Sequence, residues 1–181
     1  MKRYLRAGKY SLIIMLICSA VLILNSVLPL HLNQWGILPR STSHLSGILF
    51  SPFLHENWAH LLSNFIPFVI FGMLVGERGP KRFLSLFVFF TLATGTLVWL
   101  FARGNSVHIG MSGVIYALWG YLVVYGLIKR QIIPLIISLL TLFFYGGLII
   151  GVFPTSVHIS FESHLLGAIV GGLTGYYLAK R

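Results

Sequence analysis

The sequence predicts an all-α, polytopic membrane protein: six transmembrane helices in one domain over residues 1–181, with both termini cytoplasmic. Three observations predict it. Hydrophobic residues fill 57% of the 181 positions and charged residues only 9%, at a mean hydropathy of +0.90, whereas a soluble domain carries about a quarter charged residues. Apolar runs recur at the length of about 20 residues that a helix needs to cross a bilayer, and six of them use roughly 120 positions, leaving no room for a large extramembrane domain. The 13 Lys and Arg are also unevenly placed. With the N-terminus inside, Lys2, Arg3, Arg6, Lys9, Arg78, Lys81, Arg82, Lys129, Arg130, Lys180 and Arg181 fall on inner segments, and only Arg40 and Arg103 fall outside. Such an asymmetry sets orientation in a membrane.

The first span covers 10–30, behind a basic start. It is longer than the roughly 7–15 apolar residues of a signal peptide and lacks a small-x-small cleavage site, so it reads as a retained helix. Residues 31–58 mix Asn, Gln, Pro, Ser and His with apolar patches such as Ile48-Leu49-Phe50 and Phe53, and read as an interfacial loop. Further spans follow at 59–76, 83–102, 112–128, 132–152 and 163–179. Pro67 and Pro134 are expected to kink or relax the second and fifth of the set. Arg78, Lys81 and Arg82 read as topology determinants, with Glu77 placed to pair among them. The chain shows no long low-complexity tract and no repeat, hence one domain.

The composition excludes several functions. A net charge of +10 could suit nucleic acid, but the cations sit in short clusters between apolar runs, which makes a lipid bilayer the partner and nucleic acid not one. Cys18 is the single cysteine, so no intramolecular disulfide is available. The three acids are Glu56, Glu77 and Glu162, and aspartate is absent, so no Ser-His-Asp triad can be built. The histidines do not form a convincing set of three or four metal ligands, so neither metal nor cofactor is expected. His31, His44, His108 and His158 read as interfacial histidines satisfied by water or backbone.

Polar residues inside spans are costly and are therefore functional suspects. In this topology spans two, four and six all start at the outer face, and each carries its polar residues near that start. His60 and Asn64 lie four apart on one helical face. Gly110-Met111-Ser112-Gly113 opens span four, and Glu162-Ser163-His164 opens span six. Gly167, Ala168 and Gly171 continue the His164 face, while Gly113, Ala117 and Gly120 follow Ser112. Small-xxx-small surfaces let backbones approach, so spans four and six are expected to pack together and bring Ser112 within reach of His164. A serine beside a neutral imidazole is the minimum equipment for nucleophilic catalysis. His60, Asn64 and the Ser112 backbone amide at a helix N-terminus supply donors for an oxyanion. Gly110 and Gly113 leave the serine accessible to a close-packed loop. Glu162, two residues from His164, points to another face and is not expected to orient it.

These pieces resemble the rhomboid intramembrane serine proteases. His60-Leu61-Leu62-Ser63-Asn64 is similar to the family's H-x-x-x-N on its second helix, and Gly110 to Ala117 to its G-x-S-G-x-x-Y-A on the fourth. Ser163 to Gly172 is similar to the histidine and glycine motif of the sixth, and His55 stands where the family often has a histidine. The likeness runs from about 50 to 175; Ser46-Gly47 stands where the family has a Trp-Arg pair. The resemblance implies a rhomboid-like bundle, with Ser112 as nucleophile, His164 as general base, His60, Asn64 and the Ser112 amide as the oxyanion site, and Tyr116 stacked on His164.

The resulting expectation is a serine endopeptidase that cuts transmembrane segments of other membrane proteins, multi-pass in a bacterial or archaeal cell membrane, its active site near the outer face and its oligomeric state open. Because a substrate helix must unwind to expose a carbonyl, Gly, Pro or other weak helix formers are expected near the cut. The main rival is a non-catalytic rhomboid-like protein that binds client helices, or a small channel. A zinc hydrolase built on His55, His60 and His164 is a weaker third reading.

Overall fold

A computed structural model describes residues 2–76, 79–154 and 160–181. Among these, 80% are helical and no strand is present. Seven α-helices follow in order: α1 Lys2–Val27, α2 Gly47–Phe50, α3 Trp58–Val75, α4 Pro80–Phe101, α5 Ser112–Lys129, α6 Ile132–Tyr145 and α7 Phe161–Ala179. Short 3-10 turns at Leu32–Trp35, Thr42–His44, Ser51–Phe53 and Gly146–Val152 complete the described chain. The expected pairing of Glu77 with Arg78 and its neighbours, and the reading of His158, lie outside the described residues.

Among the described residues, five helical segments are long and apolar enough to cross a membrane: α1, α3, α4, α5 and the continuous stretch Ile132–Val152. The chain is thus a multi-pass integral membrane protein. The sixth expected span, α7, does not reach the same mean hydropathy, because Glu162, Ser163, His164 and four glycines occupy much of its 19 residues. Helix α1 begins at Lys2, so the basic start ahead of the first span is itself helical. The expected span 132–152 changes at Tyr145 from α-helix to the tighter 3-10 turn Gly146–Val152, at the Gly146-Gly147 pair whose backbone freedom favours such a change.

Local chemistry explains the ends. Asn57 caps α3, its side chain accepting from the His60 amide at 2.9 Å. Helix α4 starts at Pro80 behind Gly79, which has φ 100°. Pro134 falls in the first turn of α6, where its missing N–H breaks no helical bond, so it sits at a helix start without kinking the span. Pro67 lies within α3.

Helix α5 is the centre of the bundle. It packs against α3, α4, α6 and α7, while α1 lies on α3 and α4. Lipid offers no hydrophobic drive between helices, so close packing of small residues must hold them. The α5–α7 seam is built that way. A Cβ at Gly167 would strike the Gly113 carbonyl, one at Gly171 the Ala117 carbonyl, and one at Gly120 would come within 2.5 Å of the Ala168 carbonyl. The expected packing of spans four and six is therefore present. Lys129 closes the seam, donating to the Ala179 carbonyl at 3.2 Å. By contrast α6 shows most of its surface outward, with Ile132 78% and Phe143 80% exposed.

The 31–58 segment is tied into the fold. Ile37 and His108 exchange backbone bonds at 3.0 and 2.8 Å, and the Gly110 amide donates to the Ser51 carbonyl at 2.8 Å. Arg40 finishes α4, donating through Nη1 to the Ala102 carbonyl at 2.7 Å. Ser51, Pro52, Leu54 and His55 are buried. These ties fix the loop 102–111, and hence the start of α5.

Candidate active site

Ser112 is the first residue of α5, held between buried Met111 and Gly113. Its amide therefore stands among the free N–H groups of a helix start. Gly110 turns the chain into that start at φ 111°, a conformation that side chains rarely adopt. It must be glycine for a second reason: a Cβ there would lie 2.6 Å from Nε2 of His60. The His60 ring thus rests on the loop that delivers Ser112. Below it, Asn64 is buried and donates from Nδ2 to the His60 carbonyl at 2.7 Å.

His164 comes from the first turn of α7. Its Nδ1 is 2.9 Å from the Gly151 carbonyl, and a carbonyl can only accept, so Nδ1 carries the proton and Nε2 keeps its lone pair. One face of the ring lies on Tyr116, with centroids 4.1 Å apart and planes 8° from parallel. Tyr116 is one turn beyond Ser112 on α5. Ser112, Tyr116, His164, His60 and Asn64 line one cavity of about 580 Å³, whose wall also includes Glu56, Ser63, Pro67 and Leu148. The Ser112 hydroxyl and the His164 ring share this space without a hydrogen bond to each other, a looseness common in sites awaiting substrate. A second, smaller cavity of about 30 Å³ lies behind Ser112, against Thr91, Thr94 and Ser163.

The Rhomboid domain family model matches residues 42–181. The chain belongs to the rhomboid family. Among curated relatives, the uncharacterized protein Rv1337 of Mycobacterium tuberculosis is 35% identical over 157 residues, 82% of this chain and 65% of the relative. The uncharacterized protein ML1171 of Mycobacterium leprae is 34% identical over 185 residues, 98% of this chain and 73% of its own length. Rhomboid protease GlpG of Haemophilus influenzae is 25% identical over 189 residues, covering 99% and 96% of the two chains. This rhomboid chain thus spans about two thirds of the Mycobacterium tuberculosis relative's length.

Within the rhomboid domain, the remaining polar groups make no hydrogen bond to Ser112 or His164 among the described residues. Glu162 pairs with Arg103 at 3.3 Å rather than with His164. His108, expected at the interface, is buried and lines the cavity; burial pushes its pKa below the usual histidine value. His55 packs edge-on against His60 at 5.0 Å, and burial, aided by His60, pushes its pKa down to about 4. No three His, Cys, Asp or Glu are grouped to hold a metal among the described residues. Sequence reasoning placed His108 at the interface and missed Gly151. That glycine holds His164 by its main chain, which leaves no side-chain pattern to find.

Proposed function

We propose that this rhomboid is an intramembrane serine protease that hydrolyses peptide bonds in or near the transmembrane segments of membrane-protein substrates. Ser112 attacks the scissile carbonyl, and His164 takes the hydroxyl proton on Nε2 and returns it to the leaving amine. His60, Asn64 and the Ser112 amide receive the developing oxyanion. One observation carries the reading: His164, its Nδ1 occupied by the Gly151 carbonyl and its face on Tyr116, shares a cavity with Ser112. A carbonyl acceptor performs the orienting task that an aspartate performs in a triad, which suits a chain without aspartate. Formation of the Ser112–His164 hydrogen bond then belongs to the substrate-bound state.

In this reading α7 is the sixth span, both termini are cytoplasmic, residues 31–58 sit at the interface, and the cavity opens near the outer face of a bacterial or archaeal cell membrane. The cation distribution supports that orientation. The cavity, at about 580 Å³, has room for water beside an extended peptide.

A fluorescent fluorophosphonate tests the proposal on detergent-purified protein. Wild type is expected to label, while Ser112→Ala and His164→Ala do not, and a transmembrane reporter is expected to lose cleavage by at least about 10³-fold in both. Retained cleavage in Ser112→Ala overturns the reading in favour of a client-binding protein.

A further inference from the structure

His108 stands four residues before Ser112 and is buried, with 4% of the residue exposed. Its Nε2 is 3.2 Å from the Arg103 carbonyl, so that nitrogen donates. Nδ1 is then an acceptor, and it lies 2.5 Å from the Ser160 hydroxyl, which must donate to it. Ser160 in turn receives the Ser163 hydroxyl proton at 2.6 Å. The three groups form one chain of fixed direction, Ser163 to Ser160 to His108, ending on the Arg103 carbonyl. It joins the loop that leads to Ser112 to the first turn of α7, where Ser163 is the neighbour of His164. Beside it, the Arg103–Glu162 ion pair at 3.3 Å bridges the same two segments. Ser163 also faces the α5 start directly, since its carbonyl would lie 3.5 Å from a Cβ at Gly113.

We propose that His108, acting through Ser160 and Ser163, is a positioning residue that fixes where His164 stands relative to Ser112. The nucleophile and the base arrive on different helices, and the α5–α7 seam sets only their separation along most of its length. At the outer end, the hydrogen-bonded chain sets the register of the first turn of α7. His108 touches no reacting atom; its effect is on geometry and passes through the serines. The inference rests on the protease reading, because it concerns the approach of that reading's two catalytic groups.

The test uses full-length protein in proteoliposomes with a transmembrane reporter, comparing wild type, Ser112→Ala, His108→Ala, Ser160→Ala, the His108→Ala/Ser160→Ala double variant and His108→Gln. His108→Ala and Ser160→Ala are each expected to lower kcat by about 10- to 100-fold, the scale of a small misplacement of reacting groups, with KM little changed. The double variant is expected to lose no more than the worse single one, because both cut one chain. His108→Gln, which keeps a donor for the Arg103 carbonyl and an acceptor for Ser160, is expected to recover most of the lost kcat. Should His108→Ala fail to fold, Ser160→Ala and His108→Gln decide the matter. Unchanged kcat in these variants, or losses that multiply in the double variant, overturn the positioning role while Ser112-dependent cleavage by wild type keeps the protease reading. Absence of cleavage in wild type and Ser112→Ala alike overturns both.

Discussion

Gly151 can hold His164 because it has no side chain. A Cβ at 151 would run into the Tyr116 hydroxyl and lie 3.3 Å from His164 Nδ1. Gly151→Ala is therefore expected to push the ring off its carbonyl and lower kcat by about 10- to 100-fold, with KM nearly constant, as measured on a transmembrane reporter. His55 leads to a different expectation. Its pKa falls from 6.5 to about 4 on folding, so between those values the unfolded chain binds a proton that the folded chain refuses. Stability is then lost as the pH drops through that window and is fully kept above it. The melting temperature of wild type should fall more between pH 6.5 and pH 4 than that of His55→Leu, with equal slopes counting against this assignment. Ser112, His60, Asn64 and His164 were legible in the sequence because costly polar side chains stood at one depth on three apolar runs. His108 was not, since its partners Ser160 and Arg103 lie 52 and five residues away and only the fold joins them.

Among the elements, the α5–α7 seam gives the sharpest contrast. Gly171 and Gly172 are neighbours, yet a Cβ at 171 meets the Ala117 carbonyl and one at 172 meets only Val124 Cγ2 at 3.5 Å, an ordinary contact. Gly171→Ala is expected to cost about 1–3 kcal/mol by overpacking, and Gly172→Ala to be nearly neutral, in thermal or denaturant unfolding in detergent. Equal effects would mean that the two helices are not in this register. The seam could be foreseen because small residues at helical spacing carry their own signal. The change of helix type after Tyr145 could not be foreseen from hydropathy, which stays high across Ile132–Val152; only the Gly146-Gly147 pair hinted at it. Pro134 was misread for a related reason. Whether a proline kinks a helix depends on its distance from the helix start, and that start lay two residues upstream.

For the whole molecule, the cation distribution bears on the proposed orientation. On that reading inner segments carry most of the 13 Lys and Arg, while Arg40 is used structurally, finishing α4 through the Ala102 carbonyl. Tags at the two ends of the chain are expected to be protected from protease added outside intact cells and cut only after permeabilisation; one tag cut from outside would overturn the even number of crossings, and both cut would reverse the orientation. The bundle could be read from composition and charge because a bilayer restricts a chain to few solutions. The packing of residues 31–58 against the loop 102–111 could not, because its backbone bonds between Ile37 and His108 and between Gly110 and Ser51 depend on no residue type.

The carbonyl that orients His164 has a genetic consequence. A part made of main chain has no side chain of its own to remove, so alanine scanning reports on it only at position 151, where the substitution also adds a Cβ that strikes Tyr116. Its contribution can be isolated only by chemical synthesis. Replacing the amide between 151 and 152 by an ester would leave every side chain in place, weaken that acceptor and remove the N–H of residue 152.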